Sequence, residues 1–158
     1  MGKRIPALLA SILLCEAVGF IGGFFTISAI PTWYAALTKP SLSPPNWVFG
    51  PAWTILYALM GISLYLIWEE GIKKKKVRQA IFLFGIHLLV NFSWSAVFFG
   101  LKNSFGALLV IVVLWLLIVA VIYKFWQIKT LAAILLFPYL FWVSFATYLN
   151  FAIWLLNK

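Results

Sequence analysis

Long apolar runs dominate this chain, and nearly all of its charged residues occur in the short segments between them. Five runs reach the length of about 20 mostly apolar residues that a membrane-spanning helix needs, and they cover residues 5–30, 47–68, 79–101, 103–123 and 130–157. Only the first run contains a charged side chain, that of Glu16. The alternation typical of barrel strands does not occur in the sequence. The pattern predicts an all-α membrane protein, a bundle of five transmembrane helices.

Composition strengthens this prediction and sets the number of domains. Of the 158 residues, 65% are hydrophobic and 9% are charged, and the mean hydropathy is +1.08. So little polar surface does not suit a domain dissolved in water, and we expect one membrane domain over residues 1–158. Lys3 and Arg4 before an apolar run resemble a signal peptide. That run continues past Glu16 to Ile30 without a small-residue cleavage site, so we expect a mature helix.

The basic residues indicate a topology rather than a nucleic-acid partner, although the net charge is +9. Nine of them fall on the side of the N-terminus: Lys3, Arg4, Lys73, Lys74, Lys75, Lys76, Arg78, Lys124 and Lys129. Three fall on the other side: Lys39, Lys102 and Lys158. Because cytoplasmic segments carry the excess of Lys and Arg, this count predicts an N-terminus inside and a C-terminus outside.

The segment between the first two runs, WYAALTKPSLSPPNWVFGPAW at 33–53, differs from the rest of the chain. It holds four of the seven prolines and three of the nine tryptophans. Proline removes a backbone donor and blocks helix continuation, so we expect Pro31 to end the first helix and Pro138 to kink the last one. Irregular backbone at membrane depth must be buried in protein or line a cavity. The sequence therefore predicts a rigid crossover, a loop between the first two helices that caps an internal pocket.

Three of the five runs carry polar and aromatic residues three or four positions apart, which places them on one helix face. These stripes comprise Gly50, Trp53, Tyr57 and Gly61 in the second run, His87, Asn91, Trp94 and Phe98 in the third, and Trp142, Ala146, Leu149 and Asn150 in the fifth. Hydrocarbon offers polar groups no partner, so the stripes face inward. They predict an apolar pocket with a few donors, whose indoles suit a large flat aromatic ligand. The almost purely aliphatic fourth run is typical of a scaffold helix.

Several residues admit both a structural and a functional interpretation. Glu16, an acid inside a span, either binds a ligand or proton, or hydrogen-bonds an indole or amide across the bundle. His87 is a core residue or a ligand contact, and Asn91 anchors either a ligand or a neighbouring helix. The pair Gly19 and Gly23 has the spacing of closely packed transmembrane helices. It serves packing within one bundle or a homodimer face.

Conventional catalytic chemistry has few candidate residues in this chain. It contains one His, one Cys and three carboxylates. No cluster has the composition of a metal site, and no set of nucleophile, base and orienting group is present. We therefore expect no metal and no required cofactor.

Three motifs resemble the translocator protein family, whose bacterial members are called tryptophan-rich sensory proteins and which includes the peripheral benzodiazepine receptor of animals. They are WYAALTKPSLSPPNWVFGPAWTILYALMG at 33–61, NFSW and FFG between Asn91 and Gly100, and PYLFWVSFATYLN at 138–150. The resemblance implies a five-helix bundle, a homodimer, and a pocket for porphyrins such as protoporphyrin, isoquinoline carboxamides and benzodiazepine-like drugs. It also implies a bacterial member in the cell membrane. Phe151 and Leu155 replace the tyrosine and basic residue of the animal cholesterol motif, so we do not expect sterol binding there.

The stripes and the resemblance together give a set of candidate site residues. The candidate ligand-binding residues are Trp33, Pro45, Phe49, Trp53, Tyr57, His87, Asn91, Trp94, Phe98, Trp142, Phe145, Ala146 and Leu149. We expect a porphyrin-binding protein for sensing, transport or tetrapyrrole homeostasis. One alternative, which the resemblance implies, is light-dependent breakdown of protoporphyrin with a photochemical role for Trp53 and Trp142. Another is a non-catalytic dimeric membrane scaffold.

Overall fold

The computed structural model describes residues 4–158, in which helices and their connections account for the whole fold. The helices are α1 (Arg4–Ala29), α2 (Phe49–Glu69), α3 (Lys75–Ser95), α4 (Ser104–Trp126), α5 (Thr130–Ile134) and α6 (Phe137–Leu156). With the short turns that extend them, they form five stretches long and apolar enough to cross a membrane: Arg4–Tyr34, Asn46–Glu69, Lys75–Gly100, Ser104–Trp126 and Thr130–Leu156. The five predicted spans are confirmed. Lys3, which contributed to the predicted topology, lies outside the described residues.

The first span does not end at Pro31, so that prediction was wrong. The helix continues through a π-helical turn over Ile30–Tyr34. Local π adjustments of this kind re-satisfy the backbone groups that a proline frees, so a membrane-spanning helix can continue past it.

The last span breaks near Pro138, as predicted. Residues 135–136 form a turn between α5 and α6, and Pro138 lies in the first turn of α6, where its missing N–H costs no helical hydrogen bond. A second π-helical turn, Ala96–Gly100, extends α3. It packs beside the corresponding turn of α1, since the Trp33 and Phe98 rings lie 5.4 Å apart.

Helix α1 packs most closely on α2, and small residues make this approach possible. A Cβ on Gly61 would lie 2.9 Å from the Ser11 carbonyl oxygen and would overlap the backbone of Ile12. A Cβ on Gly19 would overlap the Tyr57 ring. Gly19 is thus used for packing within one chain, which was one of its two interpretations. Formation of a homodimer stays a prediction.

The crossover between α1 and α2 is tied to the end of α6. The Asn157 side chain accepts a hydrogen bond from the Thr38 backbone N–H and donates one to the Thr38 carbonyl, both at 2.9 Å. Lys39 Nζ lies 4.8 Å from the centre of the Tyr34 ring and donates to the Leu37 carbonyl at 3.1 Å. These contacts hold the crossover over one end of the bundle.

We expect Asn157→Ala to release the crossover without unfolding the helices. The substitution removes both hydrogen bonds to Thr38, and a hydrogen bond contributes about 1 kcal/mol. Amide exchange at Thr38 should therefore accelerate about five- to tenfold, as measured by hydrogen–deuterium exchange. Asn103→Ala is the matched control, because Asn103 accepts from the Gly106 N–H at the start of α4. Equal exchange at Thr38 in both variants would show that the tether to Asn157 is not what holds the crossover.

Candidate ligand cavity

A cavity of about 550 Å³ lies between α1, α2, α3 and α6. Its volume falls within the range of about 300–1,000 Å³ that is typical of sites for small molecules and cofactors. Residues from the second, third and fifth spans contribute to its wall, as the three stripes predicted, and no residue of α4 does so. The first span, which carries none of the three predicted stripes, also contributes to the wall.

Most of the predicted site residues line this cavity. They are Phe49, Trp53, Tyr57, Asn91, Trp94, Phe98, Trp142, Ala146 and Leu149. The structure thus brings together indoles from α2, α3 and α6. Their binding roles, and the photochemical roles of Trp53 and Trp142, stay predictions.

The structure places the other four candidates elsewhere. The Trp33 ring packs edge-on against Phe98, and the Phe145 ring packs behind Trp142 with 6.1 Å between ring centres. Pro45 is exposed on the crossover, where its carbonyl accepts from the Val48 N–H. His87 is buried beneath the cavity. Only the two ends of the crossover reach the cavity, through Tyr34 on one side and Asn46 and Trp47 on the other.

The aromatic wall is a connected set of rings. The Trp53 ring centre lies 5.5 Å from Tyr57, 6.5 Å from Trp94 and 6.2 Å from Tyr139. Trp94 also stacks on Phe98 at 5.5 Å. Aromatic pairs at such distances contribute beyond the area they bury. The wall is therefore stiff and offers flat faces to a ligand.

Hydrogen bonding separates the three indoles into two kinds. Trp94 Nε1 donates to Asn150 Oδ1 at 3.0 Å, and Asn150 in turn donates to the Ser104 carbonyl at 2.7 Å, which fixes the Trp94 ring. Trp53 and Trp142 donate no hydrogen bond to any residue in the range 4–158. An indole N–H normally finds a partner when it is buried. These two donors are available to a ligand.

A directed chain of hydrogen bonds forms the floor of the cavity. Tyr57 Oη donates to Asn91 Oδ1 at 2.5 Å, and Asn91 Nδ2 donates to Tyr139 Oη at 2.6 Å. Because an amide nitrogen only donates, the Tyr139 proton is free to go to His87 Nε2, 2.9 Å away. We assign the remaining ring proton to His87 Nδ1, which then donates to the Phe84 carbonyl at 3.2 Å.

These hydrogen bonds show how Asn91 and His87 contribute to the fold. Asn91 lines the cavity and at the same time links α2, α3 and α6 through two tyrosine hydroxyls. His87 lies behind Tyr139 with 1% of its surface exposed, and both ring nitrogens are paired. The core interpretation of His87 fits this geometry, because every polar atom of a buried group needs a partner.

The carboxyl group of Glu16 belongs to the cavity wall. Glu16 lines the cavity from α1 and makes no hydrogen bond or ion pair with another residue of the described chain. The proposed structural partner, an indole or amide across the bundle, is not found there. Glu16 thus belongs to the cavity wall, and its carboxyl group pairs with no residue in the range 4–158.

Sequence analysis missed the first span because most of its cavity-facing residues are apolar. Beyond Glu16 they are Gly19, Phe20, Gly22, Gly23, Thr26, Ile27, Ile30 and Tyr34. Apolar side chains facing a cavity cannot be distinguished by composition from those facing lipid. The usable signal was the helical spacing of three or four residues that begins at Glu16, since an acid within a span faces inward.

Metal chemistry has no support in the geometry of the described residues. Over residues 4–158, no group of three or more His, Cys, Asp or Glu side chains is placed to hold a metal ion. Both ring nitrogens of the buried His87 are already paired in the floor of the cavity. The site therefore offers aromatic faces, indole donors and a carboxyl group.

The fold and the cavity define a multi-pass integral membrane protein with an aromatic-lined cavity inside its helix bundle. A family model for the TspO/MBR family matches residues 11–155, and the chain belongs to this family. The protein is 46% identical to the tryptophan-rich protein TspO of Chlorobaculum tepidum over 157 residues, which cover 99% of both chains. It is 48% identical to the protein of the same name from Archaeoglobus fulgidus over 155 residues, 98% of this chain and 99% of the relative. It is 38% identical to the human translocator protein over 153 residues, 95% of this chain and 89% of the relative.

Proposed function

We propose that this protein binds flat aromatic ligands of the porphyrin class in the cavity between α1, α2, α3 and α6, for sensing, transport or tetrapyrrole homeostasis. The observation that carries the proposal is the convergence of Trp53, Trp94 and Trp142 from three spans on one cavity of about 550 Å³. Isoquinoline carboxamides and benzodiazepine-like compounds also present aromatic rings to such a wall. The light-dependent breakdown of protoporphyrin and the scaffold role stay predictions.

The chemistry of the wall matches such a ligand at three points. Indole faces supply stacking surface. The unpaired N–H groups of Trp53 and Trp142 suit carbonyl or carboxylate oxygens, and Glu16 suits an N–H donor.

We also propose a topology in which the N-terminus lies on the cytoplasmic side of the cell membrane. One end of the bundle carries Arg4, Lys73, Lys74, Lys75, Lys76, Arg78, Lys124 and Lys129, whereas the crossover end carries Lys39, Lys102 and Lys158. At the basic end, Arg4 and Lys129 pair with the two carboxylates that close α2: Arg4 Nε lies 3.3 Å from Glu69 Oε1, and Lys129 Nζ lies 3.2 Å from Glu70 Oε1. The positive-inside rule places this end in the cytoplasm.

We expect Trp53→Leu and Trp142→Leu each to weaken protoporphyrin binding about five- to tenfold, because each removes roughly 1 kcal/mol of aromatic contact. Binding is measured from the visible absorption of the porphyrin, so that the loss of a fluorescent indole does not disturb the readout. Trp126→Leu is the matched control, since Trp126 is exposed and lies outside the cavity wall.

The control decides how a loss of affinity is interpreted. If Trp126→Leu weakens binding as much as the two cavity variants, the porphyrin binds on the membrane-facing surface. If all three variants bind with unchanged affinity, the cavity is not the porphyrin site.

A further inference from the structure

The cavity reaches the outer surface of the bundle between α1 and α2. Three residues line the cavity and are nevertheless largely exposed: Phe20 at 70%, Ile27 at 73% and Trp47 at 74%. A residue that has both properties marks the rim of an opening. Phe20 and Ile27 belong to α1, and Trp47 lies in the turn that leads into α2, so this opening is a gap between the two helices.

Glycine positions show where the two helices separate. At Gly19 and Gly61 an added Cβ would collide with the facing helix. At Gly23 and Gly50, which also line the cavity, an added Cβ would have no atom within 4 Å. The helices are therefore in tight contact up to the Gly19–Tyr57 level and diverge within the next turn of α1.

The gap opens at the depth of the lipid chains. Gly23 lies 19 residues after Arg4 and 11 residues before Tyr34, or about 29 Å and about 16 Å along a helix with a rise of about 1.5 Å per residue. The exposed residues around it on α1 are apolar, including Phe20, Phe24 and Ile27. A hydrocarbon core is about 30 Å thick, so these side chains meet acyl chains rather than water.

On the side formed by α1 and α3, the end of the cavity beneath the crossover is closed by packed aromatic rings. Tyr34 and Phe98 line the cavity and are 4% and 2% exposed. The Tyr34 ring lies 6.3 Å from Phe98 and 5.8 Å from Phe99. Thr38, which follows this cluster in the crossover, is held by both hydrogen bonds to Asn157. Residues 35–45 do not contribute to the cavity wall.

We propose that ligands reach the cavity from the bilayer, through the gap between α1 and α2 at Gly23 and Gly50. This inference rests on the proposed function and narrows its ligand class to flat molecules that dissolve in the membrane. A ligand of this class partitions first into lipid and then moves sideways between the helices. Binding and release share the gap, so its width sets both rates and leaves the affinity unchanged.

The test measures protoporphyrin association and dissociation in lipid nanodiscs by stopped-flow quenching of tryptophan fluorescence. Gly23→Phe and Gly50→Phe fill the gap where space is open, and we expect both the association and the dissociation rate to fall about tenfold or more. Gly85→Phe is the matched control: Gly85 is exposed like Gly50, its added Cβ also meets open space, and it lies on α3 away from the cavity.

Two further variants distinguish the gap from the crossover. Phe20→Ala removes an exposed ring from the rim and should accelerate both rates. Asn157→Ala releases the crossover and should leave both rates unchanged. The route is overturned if Asn157→Ala accelerates binding, or if the glycine variants leave both rates unchanged or raise dissociation alone. If protoporphyrin does not quench the tryptophan fluorescence of the unaltered protein, the proposed function itself is contradicted.

Discussion

Replacing Gly61 by alanine is expected to destabilise the bundle by about 3 kcal/mol, at the upper end of the usual cost of overpacking. An added Cβ would overlap the Ile12 backbone and lie 2.9 Å from the Ser11 carbonyl oxygen. Backbone cannot rotate away as a side chain can, so α1 must move away from α2. The free energy of unfolding, measured by titration with sodium dodecyl sulfate in mixed micelles, should report this cost.

Gly85→Ala is the control for this substitution. Both glycines lie inside long helices, and both variants gain the same helical propensity. Gly85 is exposed with open space at its Cβ position, so its variant should be as stable as the unaltered protein or slightly more stable. Equal stability of the two alanine variants would mean that α1 and α2 do not meet at Gly61.

The second large effect is expected for Tyr139→Phe, which interrupts the hydrogen-bond chain beneath the cavity. The variant leaves Asn91 Nδ2 without its acceptor and His87 Nε2 without its donor, and both side chains are at least 97% buried. Each buried group left unsatisfied costs about 1–3 kcal/mol. We expect a loss of about 3 kcal/mol in the free energy of unfolding, since some relaxation offsets the sum.

Tyr65→Phe provides the comparison for Tyr139→Phe. The Tyr65 hydroxyl donates to Glu69 Oε1 at 3.1 Å near the basic end of the bundle, where Glu69 is partly exposed. Water replaces a lost partner there, so the variant should lose less than about 1 kcal/mol. A loss for Tyr139→Phe no larger than this would show that His87 and Asn91 find other partners, and that the chain does not hold α3 to α6.

The sequence predicted those features that the membrane itself enforces. Hydrocarbon requires long apolar helices and turns polar side chains inward, so the five spans and the convergence of Trp53, Trp94 and Trp142 followed from spacing alone. The helical continuation past Pro31 did not follow, because it depends on the shifted backbone hydrogen bonds of the π-helical turn over Ile30–Tyr34. Such local hydrogen bonds are invisible to a pattern of apolar and polar positions.

Spacing also could not predict which residues of one stripe reach the cavity and which lie above or below it. His87 and Asn91 share one face of α3, yet only Asn91 reaches the cavity, because Tyr139 from α6 fills the space beside His87. The pair Gly19 and Gly23 behaved similarly. One meets the Tyr57 ring and the other open space, although they lie only four positions apart on the same helix.

The one-way order of protons in the floor of the cavity favours one orientation of the ligand proposed above. The Tyr57 hydroxyl donates its single proton to Asn91. It can therefore only accept a hydrogen bond from a ligand in the cavity. Trp53 and Trp142, in contrast, have only an N–H to give. A ligand that satisfies both sides directs its N–H or O–H group toward Tyr57 and its oxygen atoms toward the indoles. In the reverse orientation, its acceptors face the Tyr57 lone pairs and its donors face the indole N–H groups.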